Sequence, residues 1–92
     1  MVTIHLTRHL FSYFPQLEPQ GIAVEATTVR EAVLALEQRA PGIAFYLCDE
    51  LGRLRTHVNI FVGKSMVKDR RGLSDPVAPG TELHIMQALS GG

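Results

Sequence analysis

Cysteine occurs once, as Cys48, so no disulfide can close within the chain and a reducing compartment is expected. Charge of neither sign is in excess: nine basic side chains meet nine acidic ones, for a net charge of zero. That balance excludes the electrostatic footprint by which nucleic acid or an anionic membrane would be held. The start, MVTIHLTRHLFSYF, lacks the basic lead, long apolar run and small-residue cleavage site of a signal peptide, and no run reaches membrane-spanning length. A soluble, cytoplasmic protein is the expectation. Internal repeats, low-complexity tracts and linkers are missing too, and 92 residues leave room for one core, so 1–92 reads as a single domain. A chain of this size buries only roughly 60–65% of its unfolded surface, which counts against an enzyme that must enclose a substrate.

What is present suffices for a folded body, with 46% hydrophobic and 20% charged residues. Val2, Ile4 and Leu6 alternate with polar residues, the period-2 signature of a half-buried strand, and Ile22, Val24 and Ala26 repeat it over 21–27. Between them, HLFSYFPQLEPQ (9–20) reads as a loop with room for one helical turn. A helix is predicted over 28–40. Thr28 and Glu31 have capping-box spacing, Val29, Ala32, Val33 and Leu36 form one apolar stripe, and Pro41-Gly42 stops it. IAFYLC (43–48) fits either a buried strand or a helical turn. LRTHVNIFV (54–62) reads as a strand, 65–68 as a short one pairing back to it, and ELHIMQA (82–88) as the last. The order predicts an α+β fold, a β-grasp: a mixed four- or five-stranded sheet with one main helix on one face, and first and last strands parallel.

The body offers little chemistry of its own. Gly63-Lys64-Ser65 resembles the end of a phosphate-binding loop, but Val58 stands where the motif needs glycine, and a hairpin turn is expected instead. His5, His9, His57 and His84 lack ligand spacing. His5 and His84 would neighbour each other on adjacent strands, but with no carboxylate or cysteine beside them no metal site is expected. Cys48 sits in an apolar run as a small hydrophobe rather than a nucleophile. Lys68, Arg70 and Arg71 read as a solvated loop, with docking to an acidic partner as the second reading. If Leu83 and Ile85 face the helix, His84 and Met86 lie on the opposite sheet face, where an exposed, adaptable methionine suits partner docking.

The tail is different. Ala88-Leu89-Ser90-Gly91-Gly92 follows a strand, and glycine there stabilises nothing, so a frayed end is one reading of residues 88–92. The other is an arm whose last two residues, lacking Cβ, can thread a channel too narrow for side chains. Its carboxylate, once activated by another enzyme's ATP, would accept sulfur.

VNIFVG (58–63), GLSDPVAPGTEL (72–83) and the terminal ALSGG resemble the ThiS/MoaD-type ubiquitin-like sulfur carriers, β-grasp domains ending in Gly-Gly. LRTHVNIFV and the chain length look most similar to the branch supplying sulfur for cysteine synthesis. Gln87 stands where the family usually has proline, and Gly80-Thr81 replaces Gly-Asp; neither change touches Gly91-Gly92. The resemblance implies a protein co-substrate rather than an enzyme, with no bound cofactor. Gly92 would be the thiocarboxylate and adenylation site, with Gly91, Ser90 and Leu89 threading the tail into partners. It implies three partners: an E1-like adenylating enzyme using ATP, a sulfurtransferase or cysteine desulfurase, and a sulfur-accepting synthase. The acceptor pathway stays open among cysteine, molybdopterin, thiamin, thiolated tRNA and secondary metabolites. A ubiquitin-like modifier joined to target lysines through the same carboxylate is the alternative.

Overall fold

The structure, a computed structural model, describes residues 1–8, 10–17 and 21–87. Strands β1 (Val2–Leu6), β2 (Ile22–Val24), β3 (Val58–Val62), β4 (Ser65–Met66) and β5 (Glu82–Gln87) form one sheet in the order β2-β1-β5-β3-β4. β1 and β5 are parallel and central; the other pairings are antiparallel. Among the described residues, three helices, α1 (Leu10–Tyr13), α2 (Val29–Arg39) and α3 (Ile43–Leu47), complete a β-grasp.

One core explains the arrangement. Val2 and Ile4 from β1, Leu83 and Ile85 from β5, and Val58 and Ile60 from β3 alternate inward, as the period-2 pattern requires. They meet the stripe Val29, Ala32, Val33 and Leu36 of α2, which the i, i+3, i+4, i+7 spacing places on one face.

The start of α2 is fixed by its cap. Thr28 accepts the Glu31 amide at 3.2 Å. Glu31 does not return the bond to Thr28; its carboxylate accepts both the amide and the hydroxyl of Thr27 at 2.7 Å, and these bonds lower its pKa, the Thr27 amide contributing most. The next orphan amides, of Val29 and Arg30, donate to the carbonyls of Asp75 and Leu73, which ties the helix to the 73–77 loop. Thr28→Ala is expected to cost about 1 kcal/mol, read as a lower urea midpoint, because one amide loses its acceptor.

Elsewhere the structure trims or decides the sequence-based elements. The stretch 43–48 is a helical turn rather than a strand: Ile43 and Leu47 are buried four residues apart, and the Glu37 carboxylate caps it by accepting the Gly42 and Ala44 amides at 2.9 Å. The second strand covers Ile22–Val24 rather than 21–27, because Val24 pairs with Val2 and the partner strand runs out there. The third begins at Val58 rather than 54. Leu54 instead bridges Cys48 and donates its amide to Arg70, while the Val58 amide closes a turn on Arg55. β4 is two residues long, joined to β3 through Gly63-Lys64, with Gly63 at φ 62 as a tight hairpin turn requires.

The 68–75 loop is well tied. Asp69 accepts the Ser74 hydroxyl at 2.6 Å and the amides of Arg71, Gly72 and Ser74. These bonds, the Ser74 hydroxyl first, hold its pKa at about 2. Leu73, fully buried, is kept at φ 54, a left-handed conformation that costs an L-residue roughly 1–2 kcal/mol.

Candidate functional site

β5 leads directly into the tail, and its neighbours fix where the tail starts. Val58 of β3 pairs with Gln87 on one side. On the other, Thr7 extends the parallel pairing beyond β1: its amide and hydroxyl both donate to the Ile85 carbonyl at 3.2 Å, and its oxygen accepts the Gln87 amide at 3.1 Å. Both flanks of the last strand are therefore held up to its final residue. Thr7 was not singled out in the sequence, since a threonine closing a strand carries no motif.

Beside Gln87 lies a shallow groove lined by Gly42, Phe45, Tyr46, Arg55 and His57. The Arg55 guanidinium donates to the Phe45 carbonyl and lies 5.3 Å from the centre of the Phe45 ring. Phe45, largely exposed, thus offers an apolar surface held in place near the tail's base. The helical form of 43–48 creates this groove, which periodicity alone does not reveal.

The sheet face opposite the helix carries the other candidates. Glu82, His84 and Met86 are exposed while Leu83 and Ile85 are buried, as strand alternation predicts. Met86 is 52% exposed and Met66 49%, both large apolar side chains on the surface. The register sets His5, His84, Phe61 and Met66 in one row across four strands.

Two readings from the sequence change, and a third holds. The absence of a carboxylate near His5 and His84 is corrected: Glu82, two residues before His84 on the same face, accepts a bond from His5 Nε2 at 2.7 Å. Arg70 is not a solvated loop charge, for its guanidinium donates to Asn59 Oδ1 and to the carbonyls of Arg55 and Val58 at 2.7–2.8 Å. It braces the turn into β3. Cys48 is buried as expected, and burial pushes its thiol pKa up, away from nucleophilic use. Leu89, Ser90, Gly91, Gly92 and His9 lie outside the described residues.

A family model, the ThiS family, matches residues 11–92, nearly the whole chain and the C-terminal Gly-Gly with it. The chain belongs to the ThiS family. Solved structures agree. A chain of the Amycolatopsis orientalis BexX/CysO complex is 28% identical with a TM-score of 0.85, and the match covers 100% of both chains. Mycobacterium tuberculosis CysO, described as an antigen, is 27% identical at a TM-score of 0.82, covering 97% of this chain and 100% of that one. SAMP1 from Haloferax volcanii, at 22% identity and a TM-score of 0.74 over 99% and 98% of the two chains, shares the fold. No curated protein sequence matches the chain. This ThiS-family member is thus a small ubiquitin-like sulfur carrier of the β-grasp fold. Among its described residues, no helix is long and apolar enough to cross a membrane.

Proposed function

We propose that the protein carries sulfur as a thiocarboxylate on Gly92. The supporting observation is the ThiS-family match that runs through Gly91-Gly92, on a fold whose last strand is gripped on both sides up to Gln87. An E1-like enzyme would join the Gly92 carboxylate to AMP from ATP, releasing pyrophosphate. The outer sulfur of a persulfide on a sulfurtransferase or cysteine desulfurase then attacks the acyl-adenylate and displaces AMP. A thiol reductant cleaves the resulting acyl disulfide, and the thiocarboxylate so released passes sulfur to a biosynthetic synthase. The protein is a co-substrate in each step. The absence of Cβ atoms at Gly91 and Gly92 suits a narrow partner channel, with Ser90 and Leu89 guiding entry.

The test is intact-protein mass spectrometry after incubation with an adenylating enzyme, ATP and a sulfide donor. The expected result is a gain equal to one oxygen-to-sulfur exchange, localised to Gly92. Lysine isopeptide conjugates in place of that gain would establish the modifier reading instead.

Docking is assigned to the open sheet face around His84 and Met86. A flexible thioether moulds to several partners, and this side chain stands one residue before the end of β5. Met86→Asp is expected to weaken binding of the adenylating enzyme about tenfold or more, with the unfolding midpoint preserved because the residue is exposed. Unchanged affinity in a titration would remove Met86 from the interface.

A further inference from the structure

We propose that His5, Glu82 and His84 form a binding site for a divalent transition ion that favours nitrogen and oxygen ligands, with Zn²⁺ as its natural probe. The inference is independent of the sulfur-carrier reading. It rests on what the parallel pairing of β1 and β5 brings together.

His5 and His84 are direct register partners on the two central strands, so both imidazoles leave the same face at the same height. Glu82, two residues earlier on β5, returns to that face beside them. The imidazole rings stack at 4.7 Å with only 16° between their planes. One ligand atom from each of the three residues lies within 4.8 Å of the others, and His5 Nε2 to Glu82 Oε1 is 2.7 Å.

These distances suit an ion. Zinc bonds of about 2.0–2.2 Å to nitrogen and oxygen imply ligand atoms roughly 3.4 Å apart in a tetrahedron. A modest turn of these surface side chains would close the longer separations to that value and open the 2.7 Å pair. A bound ion would replace the His5–Glu82 hydrogen bond, as metal binding to imidazole displaces protons. Gly21 backs the site. A Cβ there would lie 3.2 Å from His5 Cε1 and 3.0 Å from Thr3 Cγ2, so its absence leaves the His5 ring its space.

Two imidazoles and one carboxylate match zinc, copper or nickel rather than calcium or magnesium, which prefer all-oxygen shells. Three protein ligands leave a fourth position open to water or to a group from a partner. The open position faces outward on the same sheet surface as Met86, so a bound ion would add a directional bond to whatever docks there.

The experiment is calorimetric titration of ZnCl₂ into the full-length protein after chelator treatment, with circular dichroism melts of every variant. One ion per chain is expected. His84→Asn, His5→Asn and Glu82→Gln should each lower affinity at least tenfold, while His57→Asn, remote from the site, should leave it unchanged. Cobalt(II) should give a visible absorption band that disappears in His84→Asn. Should His5→Asn fail to fold, the His84 and Glu82 variants decide. No heat of binding at millimolar zinc, or equal binding by the His84 and Glu82 variants, would overturn the site.

Discussion

Deleting Gly92 is expected to abolish sulfur loading while leaving the urea unfolding midpoint unchanged. The deletion leaves a carboxylate on Gly91, set back by one residue, about 3.3–3.6 Å of extended chain. Attack on an activated acyl group depends on geometry so steeply that a misplacement of ~1 Å costs about a hundredfold. The loss removes no side chain and lies five residues past the last strand, so the core is untouched. Gly91→Val should fail by a different route, because a β-branched side chain would obstruct a narrow channel. Mass spectrometry with the adenylating enzyme, ATP and sulfide reads both variants beside the wild type. Equal loading of the deletion variant would sink the thiocarboxylate reading.

Leu36→Ala should have the opposite profile: a large stability loss with the loading chemistry intact in whatever fraction stays folded. Leu36 is 0% exposed and sits on the face of α2 that meets the sheet. Truncation forfeits its burial and leaves a cavity, together worth about 2–5 kcal/mol. A domain of this length holds roughly 5–14 kcal/mol in total, so the change removes a substantial share. Urea denaturation should show a lower midpoint with the slope retained. A shift near zero would contradict the helix packing described above.

What the sequence made legible follows from how local each signal is. The cap, stripe and stop of α2 all lie within fifteen consecutive residues, and the helix forms where they place it. The alternation of β5 likewise sorts Leu83 and Ile85 inward and His84 and Met86 outward. The stretch 43–48 was ambiguous because six apolar residues fit either period; the Glu37 carboxylate that caps it lies on the preceding helix. Arg70 looked like surface charge because its acceptors, Arg55, Val58 and Asn59, are brought to it only by the fold. Glu82 was missed beside His5 for the same reason, as the two stand 77 positions apart with only the β1–β5 register to join them. The His5–His84 neighbourhood was legible from the parallel order alone, but the reach of Glu82 to His5 needed the side chains placed on the assembled sheet.

The pairing of β1 with β5 also sets the order in which the protein can be made. A ribosome delivers β1, β2 and α2 early, yet one long edge of β1 has no partner until residues 82–87 emerge. Until then the nascent chain carries an open strand edge with Val2 and Ile4 beside it, a template for pairing with the wrong chain. Closing that edge joins residues almost eighty positions apart, as in the Thr7–Ile85 bond, and such distant closures are slow. The sheet has no middle until β5 has left the ribosome. Crowded overproduction should accordingly favour aggregates nucleated at β1, and a chaperone that shelters extended apolar segments should raise the soluble yield more than a lower temperature applied after synthesis.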